Sequence, residues 1–268
     1  MTTAVNYPSE WSLEIVPIHA DRVSVFSGLV DEIFVTMIPG TDVSASCKAL
    51  EKVLNSGFQP VPHITARNFE SKSALERYFS SMTNLGVSKA LLIAGGNGKA
   101  AGPFEDTMDL LTSDAFQKYP LKTVAIAGHP EGNPEDPKTW ESLEKKWSFF
   151  KEEGIHMEIV TQWSFSPGKV DAYLSEVRER GIDAPVRVGV PGPASLKTLI
   201  KYAEVCGVSA TATVIKKQGL SMGRLLVSNK PTRFVSKIEN SDLFHLYPFG
   251  GLEKCAEWLA ENTIVSVT

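Results

Sequence analysis

Five strand-like apolar runs in this sequence end on a side chain that can transfer a proton or hydrogen-bond to a heterocycle. These side chains are Glu14, His63, Asn97, His129 and Gln162. The ordinary polar loop that follows a strand explains any one of these residues, but all five together favour a functional explanation. Because the carboxyl ends of parallel strands meet at one face, we expect the five residues to share one site there.

The chemistry expected of Glu14 follows from its position inside an apolar strand. A carboxylate that points into a barrel is desolvated, which raises its pKa toward the working range of a general acid. The alternative is a buried structural glutamate held in an ion pair. Gln162 can orient a heterocycle because its amide both donates and accepts, or it can be a satisfied core amide. His19, His156 and His245 are expected to be less well placed for chemistry.

The elements that must position these residues are marked by a recurring glycine. An amphipathic stretch ends in glycine, an apolar residue follows and a strand begins, at Gly57, Gly86, Gly154, Gly181 and Gly207. Glycine adopts the left-handed conformation that ends a helix and turns the chain back toward the sheet. Five uses of this device predict repeated helix–strand units and a parallel sheet.

The apolar runs predict eight strands, at residues 11–16, 32–38, 59–64, 89–95, 122–127, 156–162, 185–190 and 242–247. Helices are predicted at 43–56, 71–85, 104–117, 137–153, 168–180, 194–206 and 251–262. Ser71 and Ser195 fit as N-caps, and Pro103 fits the first turn of its helix. The crossover 18–31 is short and leaves its helix undefined, whereas 208–241 is longer than one crossover requires. Since no linker divides the chain, we predict a single-domain (β/α)₈ barrel over residues 1–268.

Two strand-end loops are candidates for ligand contact. Residues 96–101 fit a dinucleotide-binding glycine pattern only weakly, because no acidic residue closes a strand about twenty residues later. We expect this loop to offer backbone N–H groups to a ligand. Residues 128–134 contain two prolines and two glycines. This composition predicts a rigid loop of the kind that carries function on a scaffold, with a simple tight turn as the alternative.

Composition excludes several classes of partner. The formal net charge is −4 over 268 residues and no basic stripe is present, so we expect no nucleic-acid partner. No apolar run approaches the roughly 20 residues that span a bilayer, and the first residues do not resemble a secretion signal. Cys47, Cys206 and Cys255 lack zinc-ligand spacing and are expected to be reduced thiols of a cytoplasmic protein. The sequence leaves open whether copies of the chain form a homo-oligomer.

Six short motifs together resemble the methylenetetrahydrofolate reductase family, flavin-dependent (β/α)₈ barrels, over residues 11 to 260. They are Leu13-Glu14-Ile15-Val16-Pro17, Pro60-Val61-Pro62-His63-Ile64, Gly95-Gly96-Asn97, Gly128-His129-Pro130-Glu131-Gly132, Val160-Thr161-Gln162 and Gly189-Val190-Pro191-Gly192-Pro193. Each is weak alone, but their order along the chain matches that of the family's barrel strands. The ending Pro248-Phe249-Gly250-Gly251 is similar to a bacterial branch of the family.

The resemblance implies a role for each candidate residue. Glu14 corresponds to the general acid that helps to open the five-membered ring of methylene-tetrahydrofolate, and Gln162 to the glutamine that binds the pterin. Asn97 is a further substrate-binding candidate. Phe249 is another on the ground of its loop position, from which it can stack on a ring, with a core role as the alternative. The implied cofactor is FAD, with NAD(P)H as an electron donor. The implied cofactor-binding residues are His63, which lies against the flavin in the family, and Thr36, Gly96, Asn97, His129, Asn133 and Lys146.

The sequence departs from the family around the flavin. The family's aspartate near the flavin and pterin is Asn97 here, and its flavin-loop tyrosine and histidine are His129 and Asn133. The threonine expected at the end of the second strand is Ile38, with Thr36 as the nearest hydroxyl. We therefore expect FAD to be weakly bound or absent, while the folate site is retained.

Three functions are consistent with these residues. The leading hypothesis is an oxidoreductase that interconverts 5,10-methylene- and 5-methyl-tetrahydrofolate. The second is the same couple run as methyl-tetrahydrofolate oxidation in a demethylation pathway. The third is a non-catalytic folate-binding barrel, against which Glu14 and Gln162 argue because such a protein needs no acid beside a pterin-orienting amide.

Overall fold

The computed structural model describes residues 10–40, 42–96, 98–206, 228–229, 231–241 and 243–263. Asn97 and Gly207, on which two of the predictions fall, lie outside the described residues. The prediction of one domain over residues 1–268 stays a prediction.

Eight parallel strands close into a barrel, which confirms the predicted (β/α)₈ fold. The barrel strands are β1 (Trp11–Ile15), β2 (Glu32–Val35), β3 (Gln59–Thr65), β4 (Lys89–Ile93), β5 (Thr123–Gly128), β6 (His156–Thr161), β7 (Val186–Pro191) and β10 (Phe244–Tyr247). In spatial order the barrel runs β1-β10-β7-β6-β5-β4-β3-β2. Two short strands, β8 (Ala194–Ser195) and β9 (Ser228–Asn229), form an antiparallel pair outside the barrel.

The helices that cover the barrel follow the predicted rhythm with two corrections. They are α1 (Val43–Asn55), α2 (Lys72–Asn84), α3 (Thr107–Leu111), α4 (Asp114–Lys118), α5 (Thr139–Glu153), α6 (Pro167–Glu179), α7 (Leu196–Val205), α8 (Thr232–Val235) and α9 (Leu252–Thr263). The helix predicted at 104–117 is divided in two, because Asp106 caps α3 through a capping box and Ser113 caps α4. Pro103 therefore precedes the helix and does not lie in its first turn. The first crossover contains a 3₁₀ helix, Pro17–Phe26.

The structure contains the serine N-caps and the helix-ending glycines on which the predicted helix boundaries depend. Ser71 and Ser195 cap α2 and α7 by accepting main-chain hydrogen bonds from Ala74 and Thr198. The glycines that end helices have positive φ values of 66° to 88° at Gly57, Gly86, Gly154 and Gly181. These turns return the chain to the amino end of each next strand, so the strands all run in one direction.

Two apolar layers hold the barrel together. The larger layer lies between the strands and the surrounding helices. A separate cluster has one residue from each of five consecutive strands: Phe34, Val61, Leu91, Ala125 and Val160. Because side chains alternate between the two faces of a strand, this cluster is the packed interior of the barrel.

A network of four charges closes the amino-terminal end of the barrel interior. Lys89 Nζ lies 2.8 Å from Glu32 and 2.9 Å from Glu158, while Arg187 lies 2.7 Å from Glu158 and 3.3 Å from Glu32. These residues belong to β2, β4, β6 and β7, so their contacts cross the barrel. We call this cluster the charged floor; two cations and two carboxylates balance within it.

Candidate active site

The carboxyl group of Glu14 lies at the opposite end of the barrel interior, between two imidazole rings. Nε2 of His63 is 3.4 Å from Oε2 of Glu14, and Nε2 of His245 is 3.5 Å from the same oxygen. Both imidazole nitrogens are buried and have no hydrogen-bond partner among the described residues. The three side chains come from β1, β3 and β10, which are brought together only when the barrel closes.

Burial sets the protonation of this group. Desolvation raises the pKa of Glu14, and the nearby His63 opposes part of that rise. Desolvation lowers the pKa of His63 and, together with the charge of Arg187, lowers that of His245 to about 3. Neutral imidazoles therefore face a carboxyl group whose pKa is shifted toward the neutral acid form, which is the direction that a general acid requires.

His245 is the site residue that sequence reasoning missed. It was expected to be less well placed for chemistry, but its side chain is fully buried and its Nδ1 is 2.8 Å from the hydroxyl of Ser12. The available signal was the alternation of Ser12 and Glu14 along one face of β1. The register that pairs Ser12 with His245 appears only when β1 meets β10.

Gln162 follows the last residue of β6 at the same end of the barrel. Its amide nitrogen donates to the main-chain oxygen of Cys206 at 3.5 Å, and its amide oxygen accepts from the main-chain nitrogen of Trp163 at 3.1 Å. Gly189 makes this geometry possible, because a Cβ there would lie 2.4 Å from the main-chain oxygen of Thr161. The amide keeps one N–H and one lone pair for a further partner.

An aromatic cluster lies beside Gln162. Phe249 stacks on Tyr202 with ring centroids 4.3 Å apart and on Tyr247 at 5.6 Å, and Trp163 meets it edge-on at 5.1 Å. The Tyr247 hydroxyl donates to the main-chain oxygen of Thr161. Phe249 is thus held by protein rings, and its role as a substrate contact stays a prediction.

The predicted cofactor residues line consecutive strand ends on one side of Glu14. Thr36 and His129 directly follow β2 and β5. Gly96 lies in the loop after β4, and His63 lies inside β3, two residues before that strand ends. The Thr36 hydroxyl, Nε2 of His63 and Nδ1 of His129 are buried without a hydrogen-bond partner among the described residues. Three orphaned polar atoms, from β2, β3 and the residue after β5, fit a bound polar group such as the isoalloxazine and phosphates of a flavin nucleotide, because such atoms are costly to leave unsatisfied.

The loop after β5 forms the wall of a cavity of about 520 Å³. Its lining includes His129, Glu131, Asn133, Asp136, Trp140 and Tyr173. Burial and the charge of Lys146 lower the pKa of His129 to about 4, and burial lowers the pKa of Lys146 itself. The charge of Lys146 thus acts on His129 at the strand end, and its role as a cofactor contact stays a prediction. Ile38 is exposed and contributes no polar group there.

Other features of the described residues carry less weight for function. A larger cavity, about 870 Å³, lies between α1 and α2 on the outside of the barrel, and Glu14 is not among its lining residues. Across the described ranges, no group of three or more His, Cys, Asp or Glu side chains is arranged to hold a metal ion. In that same part of the chain, every helix is too short or too polar to cross a membrane.

Comparison with known proteins gives one family match and two structural matches. A family model described as methylenetetrahydrofolate reductase matches residues 20–219. A conserved protein from a locus in Enterococcus faecalis with an unknown function aligns at 10% identity and a TM-score of 0.48, over 96% of this chain. The chain spans 66% of that protein's length, just under two thirds.

The second structural match is Yersinia pestis DHPS with a pterine-sulfa conjugate. It aligns at 9% identity and a TM-score of 0.50, over 97% of this chain and 94% of that chain. At this identity the match supports the barrel fold alone.

Proposed function

Because the chain belongs to the methylenetetrahydrofolate reductase family, whose model matches residues 20–219, we propose that it interconverts 5,10-methylene- and 5-methyl-tetrahydrofolate. The observation that carries this proposal is the Glu14 carboxyl group. It lies at the carboxyl end of the barrel, where barrel enzymes build their active sites, and its pKa is raised by burial. The reaction needs such an acid, because it breaks a bond to a weakly basic nitrogen.

In the reducing direction, Glu14 donates its proton to N10 of the folate. The bond between N10 and the one-carbon unit breaks, and its electron pair stays on N10. The one-carbon unit is left as an iminium on N5, and a hydride delivered to that carbon completes the methyl group. In the oxidising direction the same carboxylate takes the proton back, since both directions share one transition state. The Glu14 side chain is about one-fifth exposed, which leaves it open to the substrate at the mouth of the barrel while most of its surface is shielded from water.

The remaining predicted residues have separate tasks in this proposal. Gln162 hydrogen-bonds the pterin with the N–H and lone pair that the protein leaves free. Asn97, which lies outside the described residues, and Phe249 are the further folate contacts. Thr36, His63, Gly96, His129, Asn133 and Lys146 hold FAD along the ends of β2 to β5 and the loop that follows. When bound, FAD supplies the hydride chemistry, and NAD(P)H is the proposed electron donor.

The test of this function is the Glu14→Gln variant. The amide keeps the shape and hydrogen-bonding capacity of the side chain but has no proton of suitable pKa to donate. We expect turnover of methylene-tetrahydrofolate, with FAD supplied, to fall at least about 100-fold because a positioned general acid contributes about 10²- to 10⁴-fold. Folate binding should change little.

The matched control is Glu51→Gln, which makes the same chemical change on the exposed face of α1. It should turn over at the wild-type rate. Near wild-type turnover in Glu14→Gln would remove Glu14 from the mechanism. A wild-type protein that binds folate but converts neither folate species with FAD present would instead favour the non-catalytic barrel.

A further inference from the structure

A short chain of polar contacts lies directly beneath the Glu14 carboxyl group. The Ser12 hydroxyl is 3.3 Å from the main-chain oxygen of Phe244, to which it donates, and 2.8 Å from Nδ1 of His245. On the other side of the imidazole ring, Nε2 of His245 is 3.5 Å from Oε2 of Glu14. Ser12 and His245 are both fully buried, so water does not compete for these contacts.

A count of protons assigns a direction to this chain. A serine hydroxyl carries one proton, and at Ser12 that proton is directed to the Phe244 oxygen. In that arrangement the hydroxyl oxygen accepts at the shorter contact and Nδ1 of His245 donates, which is the tautomer that the proposal requires. A neutral imidazole has one N–H, which leaves Nε2 as a bare acceptor that faces Glu14.

The carboxyl group needs such an acceptor. A neutral carboxylic acid has one O–H to place, and the two groups at Oε2 of Glu14 are the Nε2 atoms of His63 and His245. Only His245 has its tautomer fixed by a hydroxyl. We propose that His245, held by Ser12, is a positioning residue that accepts a hydrogen bond from the protonated Glu14 carboxyl group. This hydrogen bond keeps the proton on Glu14 until the folate binds. The proposal rests on the proposed role of Glu14 as general acid.

Release of the stored proton requires only a turn of the carboxyl group. The terminal torsion of glutamate is soft and roughly two-fold, so the O–H can rotate from His245 toward the mouth of the barrel. The 3.5 Å separation between Nε2 of His245 and Oε2 of Glu14 exceeds an ordinary hydrogen bond, so the proposal requires the two atoms to approach each other when Oε2 carries the proton.

The charges around the pair support this assignment. His245 is faced by Arg187 and Lys89 and by Glu158 and Glu32, the four members of the charged floor. The rings of Phe34 and Tyr247 pack edge-on against it at 4.7 and 4.9 Å. Because burial and these cations keep His245 neutral, it does not become a second donor at Glu14. Glu14 itself is faced by His63, His245, Tyr247 and Cys206.

The first arm of the test is the imidazole tautomer of His245, measured by ¹⁵N NMR on the full-length wild-type chain without added ligand. We expect a protonated Nδ1 and a pyridine-type Nε2. The second arm is the pKa of Glu14, followed through its carboxyl carbon by ¹³C NMR and assigned from the resonance lost in Glu14→Gln. Ser12→Ala removes the oxygen that fixes the tautomer, so the Glu14 pKa should fall by at least about half a unit.

The matched control is Ser46→Ala, another buried serine, which lies on α1 outside the barrel. It should leave both the tautomer and the Glu14 pKa unchanged. In turnover assays, Ser12→Ala should shift the alkaline loss of kcat to lower pH by the same amount while KM for folate changes little.

Two results would overturn the proposal. One is an Nε2–H tautomer of His245 in the wild-type chain, which needs no variant to be observed. The other is an unchanged Glu14 pKa in Ser12→Ala. Neither NMR arm depends on catalysis, so their success beside an inactive wild-type enzyme would refute the proposed function alone.

Discussion

The charged floor makes a quantitative prediction about stability. Glu158 accepts from Lys89 at 2.9 Å and from Arg187 at 2.7 Å, and all four members of the floor have side chains that are less than one fifth exposed. The change Glu158→Leu leaves two buried cations facing the single carboxylate of Glu32. Removing one partner of a buried ion pair costs about 3–5 kcal/mol, because the remaining charge is uncompensated.

The double variant Lys89→Met, Glu158→Leu separates this cause from a loss of packing. It leaves Glu32 and Arg187, an ion pair with no net charge and a separation of 3.3 Å, among apolar side chains. Replacing a buried pair by apolar residues of similar size is often nearly neutral, so we expect the double variant to lie within about 1–2 kcal/mol of wild type. If the single changes were additive, the double variant would lose about 6–10 kcal/mol.

The assay is the free energy of unfolding in urea, followed by circular dichroism for wild type, both single variants and the double variant. Glu141→Gln, which breaks the exposed pair with Lys138, is the control and should be close to neutral. Additive losses in the double variant, or a single Glu158→Leu that costs less than about 1 kcal/mol, would refute the view that charge balance dominates the floor.

Three further predictions follow from the site. Gln162→Leu should raise the folate Kd by roughly 5- to 150-fold, since it leaves ligand atoms unpaired at about 1–3 kcal/mol; unchanged affinity would make Gln162 structural. FAD should be lost on extensive dialysis, because three or four missing hydrogen bonds weaken binding by roughly one to four powers of ten; a stoichiometric flavin spectrum that survives would contradict this. Unfolding free energy should fall as pH drops from 6.5 toward 3, because the unfolded chain then protonates His245 and the folded chain does not. The slope from this residue is up to about 1.4 kcal/mol per pH unit, and it should be lost in His245→Asn but kept in His156→Gln.

The strand and helix order could be predicted because local signals agree with the global fold. Continuous apolar runs identify strands buried on both faces, and glycines such as Gly57 and Gly154 end the preceding helices where the sequence indicates. The prediction of one long helix at 104–117 was wrong because apolar spacing alone ignores caps. Asp106 and Ser113 each satisfy free main-chain N–H groups, so each begins a new helix.

The long-range polar contacts could not be predicted in the same way. Glu32, Lys89 and Glu158 lie near the amino ends of their strands, where a polar residue usually faces solvent. Their pairing requires the barrel to close, because the partners are as far apart in sequence as Glu32 and Arg187. His245 was undervalued for the same reason, since only the pairing of β10 with β1 places it against Ser12.

The most direct test of the central claim is the folate half-reaction. The full-length chain is supplied with FAD, mixed with 5-methyl-tetrahydrofolate without oxygen or NAD(P)H, and followed by flavin absorbance and by the folate products. We expect the oxidised flavin spectrum to be lost as an equal amount of 5,10-methylene-tetrahydrofolate forms, and this reaction to be at least about 100-fold slower in Glu14→Gln. A flavin spectrum and a folate pool that both stay unchanged in the wild-type protein, with the folate demonstrably bound, would contradict it.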